Sequence, residues 1–509
     1  MNLNRRTFLL GSAAAASLAG CAKTSKVGLR PLAPGEKRTI AMIGYGIQMR
    51  TALIPQFLNK EHAANVRIVA VCDCDKTRRE AGAAQVNEAY GDSKCRAVAD
   101  FREILRDPEI DAVCIATPDH WHAYMCVEAM KHGKDVYCEK PLTFSPEEAK
   151  AVMDAQEKYA RVFQTGSMQR SWREFRTACM IVRNGFIGDV MFVDANYGIG
   201  GKKLGGPSHP LRFFDEPKNA AAESEGYEEL GAWGWDMWLG PARWRPYSNQ
   251  LAPRGVNKFY PMFWRFDDDI GTGYNGDWGA HHLDIAQWGL DMDKSGPYRA
   301  VRSDEPYSTD LFHGGRRQYG MKMLFKKPYG DVELYHGPFG VWGTVFYGTD
   351  GIVAVNRGKI AVWKGTGLVK PDAEVRKAVA EATFMPDKLV AASIGKDYGT
   401  DATVKKDNRL DAALNALVEK FSLETAPVQL YKSPNQVRNF CECIETRQPT
   451  ISPSEVGARG AVLCQICNMS YVYDTGFDWD PERFAFANGT GDPAWLRRAH
   501  YRNGWNIEV

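Results

Sequence analysis

The sequence predicts an α/β chain in which a doubly wound parallel sheet comes first. An α+β domain with a large, mostly antiparallel sheet follows. Three observations predict this. Short apolar runs at 39–43, 66–72, 111–116 and 134–138 alternate with helical patterns at 76–89, 100–105 and 120–132, and such alternation winds into a parallel sheet. Gly44-Tyr45-Gly46 follows the first run directly, so a tight turn sits where strand gives way to helix. Beyond about residue 164 longer runs appear at 189–197, 319–326, 331–336 and 341–347, with helical periods at 408–423, 433–445 and 456–473. That second pattern fits an antiparallel sheet with helices against it.

Composition narrows the function classes. A chain of 509 residues exceeds one ordinary domain. With 44% apolar and 25% charged residues it is neither disordered nor fibrous. Lys plus Arg number 64 and Asp plus Glu 62, a net charge of +2, so no global field favours nucleic acid. Past the first twenty residues no apolar run approaches the length of a membrane span, which excludes a multi-pass protein.

The first 21 residues, MNLNRRTFLLGSAAAASLAGC, read as an export address. Arg5-Arg6 precede Phe8, Leu9 and an Ala-rich stretch without charge until Lys23, too short for a stable span. The arginine pair resembles a twin-arginine signal, the route for proteins exported already folded. Leu18-Ala19-Gly20-Cys21 resembles a lipobox, which would leave Cys21 lipid-anchored in the cell envelope; an incidental Cys21 behind a plain signal is the alternative. Residues 22–37 are polar with Pro and Gly and read as a tether. Among the twelve cysteines, Cys72, Cys114, Cys126 and Cys138 lie in or beside apolar runs, where a buried thiol is the default. Cys441-x-Cys443 and Cys464-x2-Cys467 imitate zinc spacing, but both pairs fall in helical patterns without a neighbouring histidine. No metal is expected.

A glycine turn after the first strand lets backbone approach a pyrophosphate at a helix N-terminus. The candidates for that contact are Gly44, Gly46, Ile47 and Gln48. Met49 stands where the third glycine of the dinucleotide fingerprint belongs, so the motif is incomplete. Asp73 ends the second run 27 residues beyond Gly46, against a usual spacing of ~20. A carboxylate there accepts hydrogen bonds from both ribose hydroxyls and repels a 2′-phosphate, which favours NAD over NADP. Arg78 and Arg79 follow closely and would suit a phosphate. On this reading 38–163 is a nucleotide-binding Rossmann domain and 164–509 the α+β domain.

Residues 116–142, ATPDHWHAYMCVEAMKHGKDVYCEKPL, with Gly166-Ser167-Met168-Gln169-Arg170 and Gly276 to Asp284, resemble the Gfo/Idh/MocA oxidoreductases. Trp238-Leu239-Gly240-Pro241-Ala242 and the stretch from Arg498 to Trp505 resemble exported members, so the likeness spans about 38–509. The resemblance implies a nicotinamide cofactor contacted by Thr117, Pro118, Asp119, His120, Trp121, His122, Glu139, Lys140 and Gln169. It also implies a pairing of subunits. Oxidising a sugar carbinol needs a base for the hydroxyl proton while hydride leaves the carbon. The family pattern puts Lys140 at the reacting hydroxyl and His281 as proton acceptor. Asp277 then orients the imidazole or binds a neighbouring hydroxyl, and Asp284 backs His281. The bland reading makes Asp119 a helix cap and Trp121 a packing indole.

Three functions follow as expectations. The first is a sugar or cyclitol oxidoreductase with tightly held cofactor, the second a redox-neutral NAD-dependent glycosidase, the third a non-catalytic sugar-binding lipoprotein. Seven of the fourteen Trp fall between 233 and 288, in and just after a Gly/Pro/Trp-rich insert at 198–276. They suit either pyranose stacking or gluing of an irregular insert. Residues 366–407 read as a solvated excursion.

Overall fold

Arg38–Ile43 (β1) is buried on both sides: Ile40 and Met42 enter one apolar core, Ala41 and Ile43 the other. That is the pattern of a strand sandwiched between helix layers. The structure, a computed structural model, describes residues 30–197, 227–256, 263–306, 319–337, 340–365, 371–385, 388–395, 408–498 and 501–509. It divides into units 1–36 and 37–509. Within the first, Arg30 pairs with Glu36 at 2.6 Å; the export signal, Cys21 and most of the tether lie outside the described residues.

In the second unit Val66–Cys72 (β2), Arg96–Val98 (β3), Ala112–Ile115 (β4), Asp135–Cys138 (β5) and Phe163–Thr165 (β6) join β1. All pair parallel in the order β3-β2-β1-β4-β5-β6. The order reverses between β1 and β4, so a crevice opens at the carboxyl ends of these two strands. Five helices cross over: Ile54–Leu58 (α1), Lys76–Tyr90 (α2), Phe101–Arg106 (α3), Asp119–Lys131 (α4) and Pro146–Tyr159 (α5). A π turn at Met49–Leu53 precedes α1, and Met49 is wholly buried. The missing third glycine therefore supplies core packing.

The second sheet has ten strands: Val190–Ala195 (β7), Arg299–Pro306 (β8), Tyr319–Lys327 (β9), Gly330–His336 (β10), Thr344–Gly348 (β11), Gly351–Asn356 (β12), Lys359–Lys364 (β13), Leu389–Ile394 (β14), Phe477–Asp480 (β15) and Ala485–Ala487 (β16). Its order is β14-β13-β12-β11-β7-β10-β9-β8-β15-β16, antiparallel except for β7 with β10. Its helices are Arg173–Arg183 (α6), Tyr227–Leu239 (α7), Ala280–Gly289 (α8), Ala373–Ala380 (α9), Asn408–Lys420 (α10), Gln436–Thr446 (α11) and Ser454–Tyr473 (α12). Of these, α6, α8, α10 and α12 pack on strands of this sheet.

Two expectations need correction here. The excursion at 366–407 contains α9 and the edge strand β14, while 366–370, 386–387 and 396–407 lie outside the described residues. The helix α11 does not serve the second sheet. Val437, Phe440, Cys441, Cys443 and Ile444 pack with Ile40, Met42 and Tyr137 on one face of the parallel sheet, beside Ile54 and Phe57 of α1 and Val86 of α2. Cys464 and Cys467 are likewise buried in the apolar core around α12. No helix among the described residues is long and apolar enough to cross a membrane.

Candidate functional site

A cavity of about 600 Å³ opens at the carboxyl ends of the parallel strands. Its floor begins at the glycine turn. Gly44 has φ +87°, and a Cβ there would stand 2.7 Å from the Ala116 carbonyl, so only glycine lets β1 and β4 approach this closely. A Cβ on Gly46 would meet nothing within 4 Å. Gly46, Ile47 and Gln48 line the cavity at the start of helical backbone, where N–H groups lack partners.

Asp73 ends β2 in the same wall. Its Oδ2 accepts the Tyr45 N–H and its Oδ1 the Asp75 N–H, both at 2.9 Å. Each carboxylate oxygen keeps a second lone pair for a ribose hydroxyl. Burial raises the carboxyl's pKa, with Arg78 opposing. Arg79 donates to the carbonyls of Asp73 and Cys74, and Arg78 to that of Pro253. Arg78 Nη2 and Arg79 Nη1 are thus engaged by protein carbonyls. Asp73→Ala is expected to weaken NAD by about 10- to 100-fold, the equivalent of ~1.5–3 kcal/mol for charge-assisted bonds. Titration of the apoprotein measures this, and unchanged affinity would remove Asp73 from the site.

The loop after β4 and the first turn of α4 contribute Thr117, Pro118, Asp119, Trp121 and His122 to the lining. Thr117 Oγ1 is buried with no partner among the described residues, an acceptor and donor left for a bound group. Asp119 caps nothing: it is the first residue of α4, and its Oδ2 accepts from Thr272 N at 3.0 Å and Oγ1 at 2.6 Å. His122 turns both ring nitrogens to carbonyls, Nδ1 to Pro141 at 2.7 Å and Nε2 to Thr117 at 2.9 Å. It fixes the two loops rather than offering its nitrogens to a ligand.

Two expected contacts do not reach the lining. His120 Nε2 sits 3.0 Å from the Trp238 carbonyl, and burial pushes its pKa down to about 3. Gln169 donates to the His281 carbonyl at 3.2 Å and accepts from Arg357 Nε at 3.0 Å. Packing of the insert and of α8 claims these two side chains.

Glu139, Lys140 and Pro141 leave β5 through a cis Lys140–Pro141 bond. Glu139 accepts from Gln48 at 3.2 Å, and burial raises its pKa against the pull of Lys140. Lys140 Nζ donates to the Asp277 carbonyl at 2.7 Å and to its Oδ1 at 2.9 Å. Asp277 lies in a π turn, Asn275–Gly279, that runs into α8. Burial alone would raise its pKa, but Lys140 and Arg265 hold it well below the usual carboxylate range. His281 lines the same cavity. Burial lowers its pKa far below the ordinary imidazole value, and Lys140, Arg357 and His282 push the same way. Its Nδ1 is buried without a partner among the described residues.

Asp277 therefore pairs with Lys140 and Arg265, and no Asp277–His281 bond forms. Nor does Asp284 back His281. It chelates Arg170, whose guanidinium also grips Asp293, with paired contacts of 2.8 Å to each carboxylate. The turn before α8 is pinned instead by Asn468 of α12, which accepts from Asn275 at 2.7 Å and donates to the Thr272 carbonyl at 2.9 Å.

The seven tryptophans split by role. Trp238, Trp264 and Trp278 line the cavity. Trp235, stacked on Trp238 at 5.1 Å, and Trp288 are buried. Trp233 and Trp244 are exposed. A Cβ on Gly240 would stand 2.2 Å from the Trp121 ring, which lets the insert dock closely on α4. Residues 198–226 and 257–262 of the insert lie outside the described residues. Arg265, Tyr274 and Arg357 also line the cavity and were not anticipated from sequence.

The strand order, the glycine turn and the carboxylate ending β2 define a dinucleotide-binding Rossmann protein. Residues 38–167 match the family described as "Oxidoreductase family, NAD-binding Rossmann fold". It is 30% identical to an inositol 2-dehydrogenase of Arthrobacter sp. (strain FB24) over 159 residues, 31% of this chain and 44% of the relative. It is 30% identical to glycosyl hydrolase family 109 protein 2 of Shewanella sp. (strain ANA-3) over 213 residues, 38% of this chain and 46% of the relative. The chain spans less than half the length of these curated relatives. A solved levoglucosan dehydrogenase, in complex with NADH and levoglucosan, superposes with a TM-score of 0.50 at 16% identity, over 87% of this chain and 99% of that one. That likeness is one of fold.

Proposed function

We propose that this protein is an NAD-dependent oxidoreductase acting on a hydroxyl-bearing carbon of a sugar or cyclitol, with its cofactor tightly held. The observation that carries the reading is the convergence of Lys140, Asp277 and His281 on the cavity that the dinucleotide turn and Asp73 floor. Gly44, Gly46, Ile47 and Gln48 would hold the pyrophosphate and Asp73 the ribose. NAD, when bound, supplies the hydride acceptor. Lys140, oriented by both oxygens of Asp277, donates to the reacting hydroxyl oxygen and stabilises negative charge as it develops there. His281 takes the hydroxyl proton. Burial and the neighbouring Lys140 oppose protonation of its ring, so it stands neutral before the reaction. Trp264 and Trp278 offer flat apolar walls for the sugar ring.

The Arg5-Arg6 signal and Leu18–Cys21 motif support an exported, lipid-anchored protein, and the family likeness supports a homo-oligomer. Outside the cytoplasm free NAD is scarce, which favours a cofactor that is loaded before export and recycled in place. A second reading, redox-neutral cleavage of a glycoside on the same residues, is supported by the identity to the family 109 relative.

One experiment separates the readings. The purified holoprotein, with no NAD added, is mixed with panels of free sugars and of nitrophenyl glycosides. Reduced nicotinamide appearing with a free sugar is the expected result, and its pH profile should lack an acid limb near ~6.5. Nitrophenol released without net reduction would shift the assignment to the glycosidase. Inertness toward both panels, in protein that carries nicotinamide, would sink both.

A further inference from the structure

The ribose end of the cavity is roofed. Asp73, Cys74, Asp75 and Arg78 form one wall, and Pro253 and Arg254 of the insert line the same cavity. Three polar contacts tie the insert to the start of α2. Arg254 pairs with Asp75 Oδ2 at 2.7 Å, and the Gly255 N–H donates to that same oxygen at 3.1 Å. Arg78 donates to the Pro253 carbonyl at 2.7 Å. Asp75 Oδ1 meanwhile accepts from Arg78 N at 3.2 Å, capping α2. One carboxylate, two residues beyond Asp73, thus holds the helix start with one oxygen and the insert with the other. The Asp75 and Arg254 side chains are only 7% and 12% exposed, so this pair is not a solvent-screened surface bridge of little worth.

We propose that residues 253–255 form a clasp, closed by Asp75–Arg254 and Arg78–Pro253, that retains the adenosine end of the bound dinucleotide and sets its release rate. The proposal rests on the NAD reading above. With the ribose on Asp73, the adenosine end lies beside the segment that carries these contacts. Departure on that side requires the three contacts to part together, and rapid reclosure recaptures the nucleotide. Arg254 need not touch the cofactor; it is a positioning residue that acts through Asp75.

The test uses the full chain loaded with NADH, desalted, and chased with excess NAD, release being read as loss of bound NADH fluorescence. Arg254→Ala is expected to release at least tenfold faster. Asp75→Asn should accelerate release likewise, because Asn still caps α2 while the charge that holds Arg254 is gone. Arg254→Lys should fall between Arg254→Ala and the unaltered protein. Release at the unaltered rate in both Arg254→Ala and Asp75→Asn would overturn the clasp and leave the NAD reading intact. If the unaltered protein neither carries nor takes up NADH, the NAD reading fails and the clasp with it.

Discussion

Replacing Lys140 by Ala is expected to cut turnover by about 10³-fold or more, within the range of lost acid–base and electrostatic assistance, while NAD affinity changes little. The separation follows from position. Among the described residues the Lys140 ammonium hydrogen-bonds only to Asp277, and the turn and Asp73 that would hold the dinucleotide lie elsewhere in the cavity. The same variant strips Asp277 of its nearer cation and leaves Arg265 at 3.4 Å. Burial still favours the protonated acid, so the Asp277 pKa should rise. Single-turnover reduction of the loaded nicotinamide measures the chemical step, and titration of apoprotein measures binding. A variant that keeps more than about a tenth of its rate would remove Lys140 from the reaction. Arg in its place should not rescue, because a planar fork cannot occupy the position of a single ammonium between two oxygens of Asp277.

The largest expected loss of stability lies behind the site. Arg170→Met should lower the unfolding free energy by ~3–5 kcal/mol, because it leaves a buried carboxylate uncompensated. Arg170 and Asp284 are almost wholly inaccessible, and Asp293 is three-quarters covered. Burial opposes the Arg170 charge, but the two carboxylates more than offset it and raise its pKa. Asp284 stands three residues after His281 on α8, so the damage should reach the imidazole as well as the fold. Denaturant unfolding measures the first effect, and a loss below about 1 kcal/mol would mean the cluster is wet or adaptable. Replacing Arg170, Asp284 and Asp293 together by apolar residues should recover much of the loss, since removal of a whole buried ionic cluster is often neutral.

The sequence carried the site unevenly, for physical reasons. β1, β2, β4 and β5 are largely covered on both faces, so each reads as a short, mostly apolar run. β3 spans three residues with its first two exposed, and β6 spans three with two polar side chains; neither leaves such a trace. Gly44, Asp73 and Lys140 were legible because each terminates a strand, where backbone geometry and chemistry coincide. Helical spacing suggested that Asp284 supports His281, but the guanidinium of Arg170, 114 residues away in sequence, is the stronger partner for a buried carboxylate. Arg265, Tyr274 and Arg357 reach the cavity from an insert, a turn and a hairpin whose local patterns carry no mark of that destination. The division of the tryptophans among cavity, core and surface was equally invisible, since indole suits all three settings.

The placement of α11 has a bearing on how this polypeptide can be cut or inherited. The nucleotide half is completed by a segment synthesised some 270 residues after its last strand, as Thr165 and Gln436 mark. Expression of residues 38–167 alone would therefore leave uncovered the part of one sheet face that α11 packs on, an apolar surface prone to self-association. A graft of the nucleotide half onto another scaffold would have to bring α11 with it.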